Sequence, residues 1–370
     1  MSEKSLTRRH FLSAAGVSAT AAATAALPAP ALASGAQTWK MVTSWPKGSP
    51  GVGMTAQRLA DRITQMSDGK LTVKLYAAGE LVPPLEVFGA VGDGYAELGH
   101  TASFFWQGKA RASVFFTTIP FGLTALEHMA WINHGGGQAL WDKLYAPFNI
   151  KPFMAGNTGI QMGGWFKREI NSLADMNGIK IRSGGLGGEL FKKLGATAVL
   201  LPPGDIYPGL QSGLIDAAEF LGPWSDRAFG FYKAAPYYYW PSFNKPNGSA
   251  ECLVNAEAFA ALSPALKAIV ENACQAENAF ALSESDWENG RALNSLIVEK
   301  NVKVKEFPAD LIARAKELTP ALLDNFVEGD APATEILSSY RAALTLSASW
   351  SRVGRQAFLN ARDGQAESKD

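Results

Sequence analysis

The chain has 370 residues, with 34 basic and 34 acidic side chains and no net charge. That balance argues against a nucleic-acid-binding surface, and the length exceeds the roughly 250 to 300 residues at which one hydrophobic core stops growing, so two lobes are expected. After the N-terminal leader no apolar run reaches the ~18 residues of a membrane-spanning helix, which predicts a soluble mature chain.

The leader opens with Thr7-Arg8-Arg9-His10-Phe11-Leu12, continues through an Ala-rich, weakly apolar stretch and ends on small residues at Ala31-Leu32-Ala33. This pattern reads as a twin-arginine signal over residues 1–33, removed on export to the periplasm. A basic N-terminus before a soluble alanine helix and an uncleaved anchor are the competing readings, but Ala14 to Ala26 holds too few large apolar side chains for a bilayer span. Losing Lys4, Arg8, Arg9 and Glu3 leaves a net charge of about −2. Export of a folded protein raises the question of a bound cofactor or metal.

Trp39–Trp45 reads as a strand, Gly51–Ser67 as a helix with Ala56, Leu59, Ile63 and Met66 on one face, and Leu71–Ala78 as a second strand: a βαβ unit. Strand-like runs follow at 95–102, 114–119, 150–156, 161–166, 178–183, 216–221 and 250–255, alternating with helical stretches, which predicts an α/β architecture. The turn-rich segments Asn157-Thr158-Gly159 and Pro246-Asn247-Gly248 mark crossings between lobes, so that 37–157 starts lobe 1, 158–247 is an inserted lobe 2 and 248–308 returns to lobe 1. Within that return, no proline follows Pro264 as far as Lys300, and Leu266, Ile269, Ala273, Ala276 and Phe280 keep helical spacing, which predicts a long helix spanning both lobes. Residues 309–370 form a helical tail, broken near Gly329–Pro332, whose apolar side chains (Leu337, Tyr340, Leu344, Trp350) must be covered by this chain or by a partner. Cys252 and Cys274 are read as two buried thiols or, alternatively, as a disulfide.

Two glycine clusters invite a phosphate-binding reading. Gly51-Val52-Gly53-Met54-Thr55-Ala56 fits the dinucleotide fingerprint between a strand and a helix, with Glu80 beyond the next strand, and supports an alternative identity as a periplasmic NAD(P)-dependent oxidoreductase. Pro46 to Pro50 loosens the turn that this motif needs. Gly184-Gly185-Leu186-Gly187-Gly188 follows the strand carrying Arg182; it either presents amides to an anion or only makes the turn.

Four strand-associated side chains combine into a site for a small acid: Gln161, Arg182, Glu219 and Glu251. Arg182 ends a strand and offers a planar fork to a carboxylate. Glu219 stands in the apolar run Asp216-Ala217-Ala218-Glu219-Phe220-Leu221-Gly222, where a buried carboxylate demands a cation. Arg182 is one candidate. The other is a hard ion, Na+ or Ca2+, held by Glu219, the Gln161 amide oxygen and a backbone carbonyl.

These segments resemble the extracytoplasmic solute receptors of tripartite ATP-independent periplasmic (TRAP) transporters, in the branch that binds 2-oxo acids and lactate. The resemblance runs from about Trp39 to beyond Arg341 and is carried by Gly99 to Trp106, Gly159 to Phe166, Gly178 to Arg182, Gly213 to Glu219 and Glu251 to Asn255. It implies a two-lobed periplasmic-binding-protein-like α/β fold that closes on a pyruvate-like monocarboxylate and delivers it to a membrane permease. By the same resemblance Arg182 holds the carboxylate and Gln161, Glu219 and the Phe220 carbonyl hold the ion. Glu251 and Phe220 reach the ligand, and Phe104, Phe105 and Trp106 form an aromatic wall. Phe104 and Phe220 replace residues that are often tyrosine and tryptophan in that branch. A homodimer exchanging its C-terminal helix is also implied.

Catalysis finds no support. Gly-x-Ser-x-Gly, Walker, His-Glu-x-x-His and Cys-x-x-Cys motifs are absent, and His100, His128 and His134 lack metal-ligand spacing.

Overall fold

The structure is a computed structural model, and it describes residues 36–364. The expected signal peptide lies outside that range. In chain order the elements begin β1 (Gln37–Thr43), α1 (Val52–Met66), β2 (Leu71–Tyr76), α2 (Val87–Gly92), β3 (Leu98–Thr101), α3 (Ala125–His134), α4 (Gly137–Tyr145) and β4 (Ile150–Asn157). They continue with β5 (Gly164–Phe166), β6 (Lys180–Arg182), α5 (Gly185–Lys193), β7 (Thr197–Val199), α6 (Ile206–Ser212), β8 (Ala217–Ala218), α7 (Pro223–Phe229) and β9 (Tyr237–Trp240). The last are β10 (Ser249–Asn255), α8 (Ala256–Ala261), α9 (Pro264–Val298), β11 (Lys303–Glu306), α10 (Ala309–Val327), α11 (Ala331–Ser351) and α12 (Ala357–Asp363).

Two sheets organise these elements, one per lobe. The first runs β2-β1-β3-β10-β4, with β1 parallel to β2 and β3, and β10 antiparallel to β3 and β4. Ala56, Leu59, Ala60 and Ile63 of α1 recur at helical spacing and are buried, the last three in one core with Met41, Leu71 and Leu98 of this sheet. The second sheet runs β11-β9-β5-β8-β6-β7. The α/β character is therefore as expected, and the strands of this second sheet are short, two to four residues each.

Two expectations change. Residues 114–119, apolar and aromatic, do not form a strand; Arg111–Phe116 is a 3-10 helix buried from Ala112 onward, with Phe116 stacked on Trp131 and Trp141. A run buried on every side has no period that separates strand from helix. The lobe boundary also moves, because β11 pairs with β9, and Leu311, Ala315 and Leu322 of α10 share a core with Ile181 and Leu190. Residues 303–308, expected in the return to lobe 1, and 309–327, expected in the helical tail, thus pack with the second sheet.

The predicted crossings adjoin each other: Thr158 N donates to Gly248 O (3.0 Å), and Asn157 Nδ2 to Asn247 Oδ1 (2.9 Å). The long helix is α9, 35 residues and about 52 Å by helical rise, started by the Ser263 cap and Pro264. Its buried Glu277 accepts from Arg58 and Arg62 of α1, and Asn289 Oδ1 accepts from Trp224 N of α7, so it braces both lobes. Helix α11 returns to the first lobe, where Tyr340 is buried against Phe115 and Trp131 and its hydroxyl accepts from Leu123 N. Beyond Tyr340, Leu346 and Trp350 of the same helix and Val353 and Phe358 after it are exposed. Cys252 and Cys274 are both buried free thiols.

Candidate functional site

A cavity lies between the lobes, lined by Phe104 and Phe105 from the first and by Gln161, Arg182, Phe220 and Lys245 from the second. The cavity volume is about 20 Å³, room for about one water molecule. The lobes are in contact in this conformation, and a three-carbon acid needs them, or a side chain, to move.

The second sheet aims the polar groups. Arg182 closes β6, and the hydrogen bond from Glu219 N to Arg182 O (2.9 Å) sets the residue after β8 beside it. The guanidinium is fully buried; Nε donates to Leu201 O (3.1 Å) and Nη1 to the main-chain oxygen of Glu219 (2.7 Å). Its Nη2 has no partner. Burial lowers its pKa, while Glu219 and Asp226 oppose that shift. Such an orphaned, charged donor lining a cavity suits an anionic ligand.

Gln161 follows the first crossing. Its Nε2 donates to Thr158 Oγ1 (3.0 Å), leaving Oε1 buried and unpartnered. Gly248 makes this possible, since a Cβ there would lie 1.8 Å from Thr158 Oγ1 and 2.2 Å from Gln161 Nε2.

Glu219 does have the cation that its burial demands, and it is neither of the two expected partners. Lys245 Nζ lies 2.7 Å from Glu219 Oε1, and donates to Phe220 O at 3.2 Å. Burial lowers the Lys245 pKa and Glu219 opposes it. Lys245 is the residue that sequence reasoning missed; the available signal was a charged side chain one step before a lobe crossing. Asp226 was missed too. It accepts from Trp165 Nε1 (2.9 Å), Tyr238 OH (2.7 Å) and Leu221 N (3.1 Å), fixing the loop after β8, and burial raises its pKa to about 7.

Glu251 is placed elsewhere. Its Oε1 accepts from Trp106 Nε1 (2.6 Å) and its Oε2 from Tyr145 OH (3.1 Å), and its neighbours Ser249 and Ala250 line the cavity instead. The pairing of β10 with β4 shifts register between Ala250 and Glu251, and this irregularity breaks the alternation that would put Glu251 on the same side as Ser249. Trp106 is turned to Glu251 as well, whereas Phe104 and Phe105 do line the cleft.

The glycine clusters serve packing. A Cβ on Gly53 would lie 2.4 Å from Ser49 Oγ and 2.7 Å from Pro46 O, so this glycine accommodates its own preceding turn. Gly184 would meet Phe104 at 2.7 Å and Gly188 would meet Ser183 O at 2.6 Å, so the second cluster lets α5 approach β6 and the opposite lobe. His100 is structural: it accepts from Trp45 Nε1 (2.8 Å) and contacts Ala155 O (3.1 Å), and burial lowers its pKa to about 4.

Among the described residues no three His, Cys, Asp or Glu gather into a metal-binding group. An ion in the cleft would therefore rest on one carboxylate and neutral oxygens. Gln161 Oε1, Glu219 and Phe220 O suit a hard ion by donor type, and the unpartnered Gln161 Oε1 supports that fit. Two of the three donors are held by Lys245.

Residues 41–330 match the family described as bacterial extracellular solute-binding protein, family 7. A monocarboxylate 2-oxoacid-binding periplasmic protein of Nostoc sp. is 38% identical over 322 residues, covering 87% of this chain and 88% of that protein. A TRAP transporter solute-binding protein from Bordetella bronchiseptica, a mixed-occupancy dimer with copurified calcium and picolinate, is similar with a TM-score of 0.85 and 39% identity, over 88% of this chain and 96% of the other. One from Pseudoalteromonas atlantica, with bound sodium and pyruvate, has a TM-score of 0.84 and 35% identity over 87% and 98%. The dinucleotide reading gains nothing from these likenesses. With its cleft, its two sheets and this match, the chain belongs to family 7 of the bacterial extracellular solute-binding proteins, the periplasmic receptors of TRAP transporters, and it is not an enzyme.

Proposed function

We propose that the chain binds a small 2-oxo or 2-hydroxy monocarboxylate, of pyruvate size, between its lobes. The observation that carries this reading is the buried, unpartnered Nη2 of Arg182 at the cavity wall, with the unpartnered Gln161 Oε1 in the same cavity. Arg182 takes the carboxylate, and Phe104 and Phe105 exclude water from the other side. The pyruvate and 2-oxoacid ligands of its relatives support the same size class.

Gln161, Glu219 and the Phe220 carbonyl are the residues that would hold Na+ or Ca2+. Such an ion supplies positive charge to the acid's oxygens when bound. Closure about the crossings near Asn157 and Asn247 retains the acid, and opening releases it to a TRAP permease. The exposed apolar run Leu346, Trp350, Val353 and Phe358 supports a homodimer built on the tail. The Arg8-Arg9 leader supports delivery by the twin-arginine route.

Thermal unfolding with a panel of acids tests the reading. At about 100 times its dissociation constant a specific ligand adds roughly 2.7 kcal/mol, so pyruvate or a close 2-oxo or 2-hydroxy acid should raise Tm by several degrees. A panel that leaves Tm unchanged while NAD(P) raises it would contradict the reading.

A further inference from the structure

Lys245 holds the place that a metal ion would need. Its ammonium lies 2.7 Å from Glu219 Oε1 and 3.2 Å from Phe220 O, while Gln161 Oε1, the remaining donor, has no partner. Calcium binds oxygens at about 2.3 to 2.6 Å. An ion on the same two oxygens would sit beside the ammonium, and two like charges that close inside a low-dielectric cleft repel strongly. The lysine is held as well as placed. Its side chain is 4% exposed, its Nζ stands 4.8 Å from the Phe104 ring centre, and its main-chain oxygen accepts from Ser242 Oγ at 2.7 Å. Among the charged residues that line the cavity or pair with one that does, Arg182 and Lys245 are positive and Glu219 negative, so one monocarboxylate brings the balance to zero without a metal.

We propose that Lys245 is a specificity-determining internal cation that competes with the metal ion for Glu219 and the Phe220 carbonyl. Its ammonium fills the cation position in the ion-free receptor, and an ion enters only as the lysine side chain withdraws. The ion dependence of acid binding is thereby set by one side chain. This rests on the acid-binding reading above.

The test uses the full exported chain, stripped with a chelator, with calcium chloride and pyruvate as probes in calorimetry. Lys245→Met keeps the length and removes the charge; Lys245→Arg keeps the charge. Removing a competing charge at this range predicts that Lys245→Met binds calcium about tenfold or more tightly than the parent, with Lys245→Arg parent-like. Calcium should tighten pyruvate binding by about tenfold in Lys245→Met and by less than about threefold in the parent. Equal or weaker calcium binding in Lys245→Met overturns the proposal. Should that variant fail to fold, the parent decides: an effect of calcium on its pyruvate affinity of about tenfold or more overturns it, and less than about threefold supports it. If none of the proteins binds pyruvate or a related acid, the acid-binding reading fails, and the calcium titrations still decide the role of Lys245.

Discussion

Glu219 and Glu251 are both completely buried carboxylates near the cleft, yet their surroundings give them opposite properties. Glu251 is held by two neutral donors, Trp106 Nε1 and Tyr145 OH, and burial raises its pKa to about 8. Glu219 faces the Lys245 ammonium, accepts from Ser183 Oγ, and passes its main-chain oxygen to Arg182. A buried acid among neutral donors holds a proton and joins two walls of a lobe. A buried acid beside a cation is tied to that cation and organises a site for another charged species. Burial alone, the property shared by the two, does not separate them.

The contrast is broken most severely at Glu219. Replacing it with Gln leaves Lys245 buried without its counter-ion, and losing one partner of a buried pair typically costs about 3 to 5 kcal/mol. Denaturant unfolding of Glu219→Gln should show a loss of that size together with weakened acid binding. A loss below about 1 kcal/mol, the range of an exposed ion pair, would mean that Glu219 and Lys245 are not coupled as described.

Glu251→Gln sharpens the same contrast in the other direction. Below its ordinary value near 4.5 the group is protonated in both folded and unfolded chains and adds no pH dependence. Between 4.5 and about 8 the folded chain keeps a proton that the unfolded chain releases, so stability falls as pH rises. The Gln variant lacks that slope and should gain Tm relative to the parent from pH 5 to pH 8. Parallel Tm curves over that interval would show that Glu251 is ionised in the folded chain. Asp226, raised to about 7, leaves a residual slope in both proteins.

The sequence carried much of this arrangement, for identifiable reasons. The 3 and 4 spacing of Leu59, Ile63 and Ala56 announced α1, and the unbroken stretch after Pro264 announced α9. Glu219 stood out because an acid inside an apolar run has few bland explanations. Residues 114–119 misled because Phe115 and Phe116 are buried in a 3-10 helix among other aromatic rings, where neither a two-residue nor a 3.6-residue period survives. Glu251 misled because its strand does border the cleft but presents Ser249 and Ala250 to it. Lys245 lies in a loop without periodicity, and its partner Glu219 is 26 positions away; only the fold brings them together.

The unpartnered end of Arg182 is the group expected to receive a carboxylate. Calorimetric titration of pyruvate into the parent and Arg182→Ala, each shown folded by circular dichroism, tests it most directly. Charge-assisted hydrogen bonds contribute roughly 1.5 to 3 kcal/mol each, so losing two predicts an affinity loss on the order of 100-fold or more. Pyruvate binding of equal affinity in the two proteins would contradict the account.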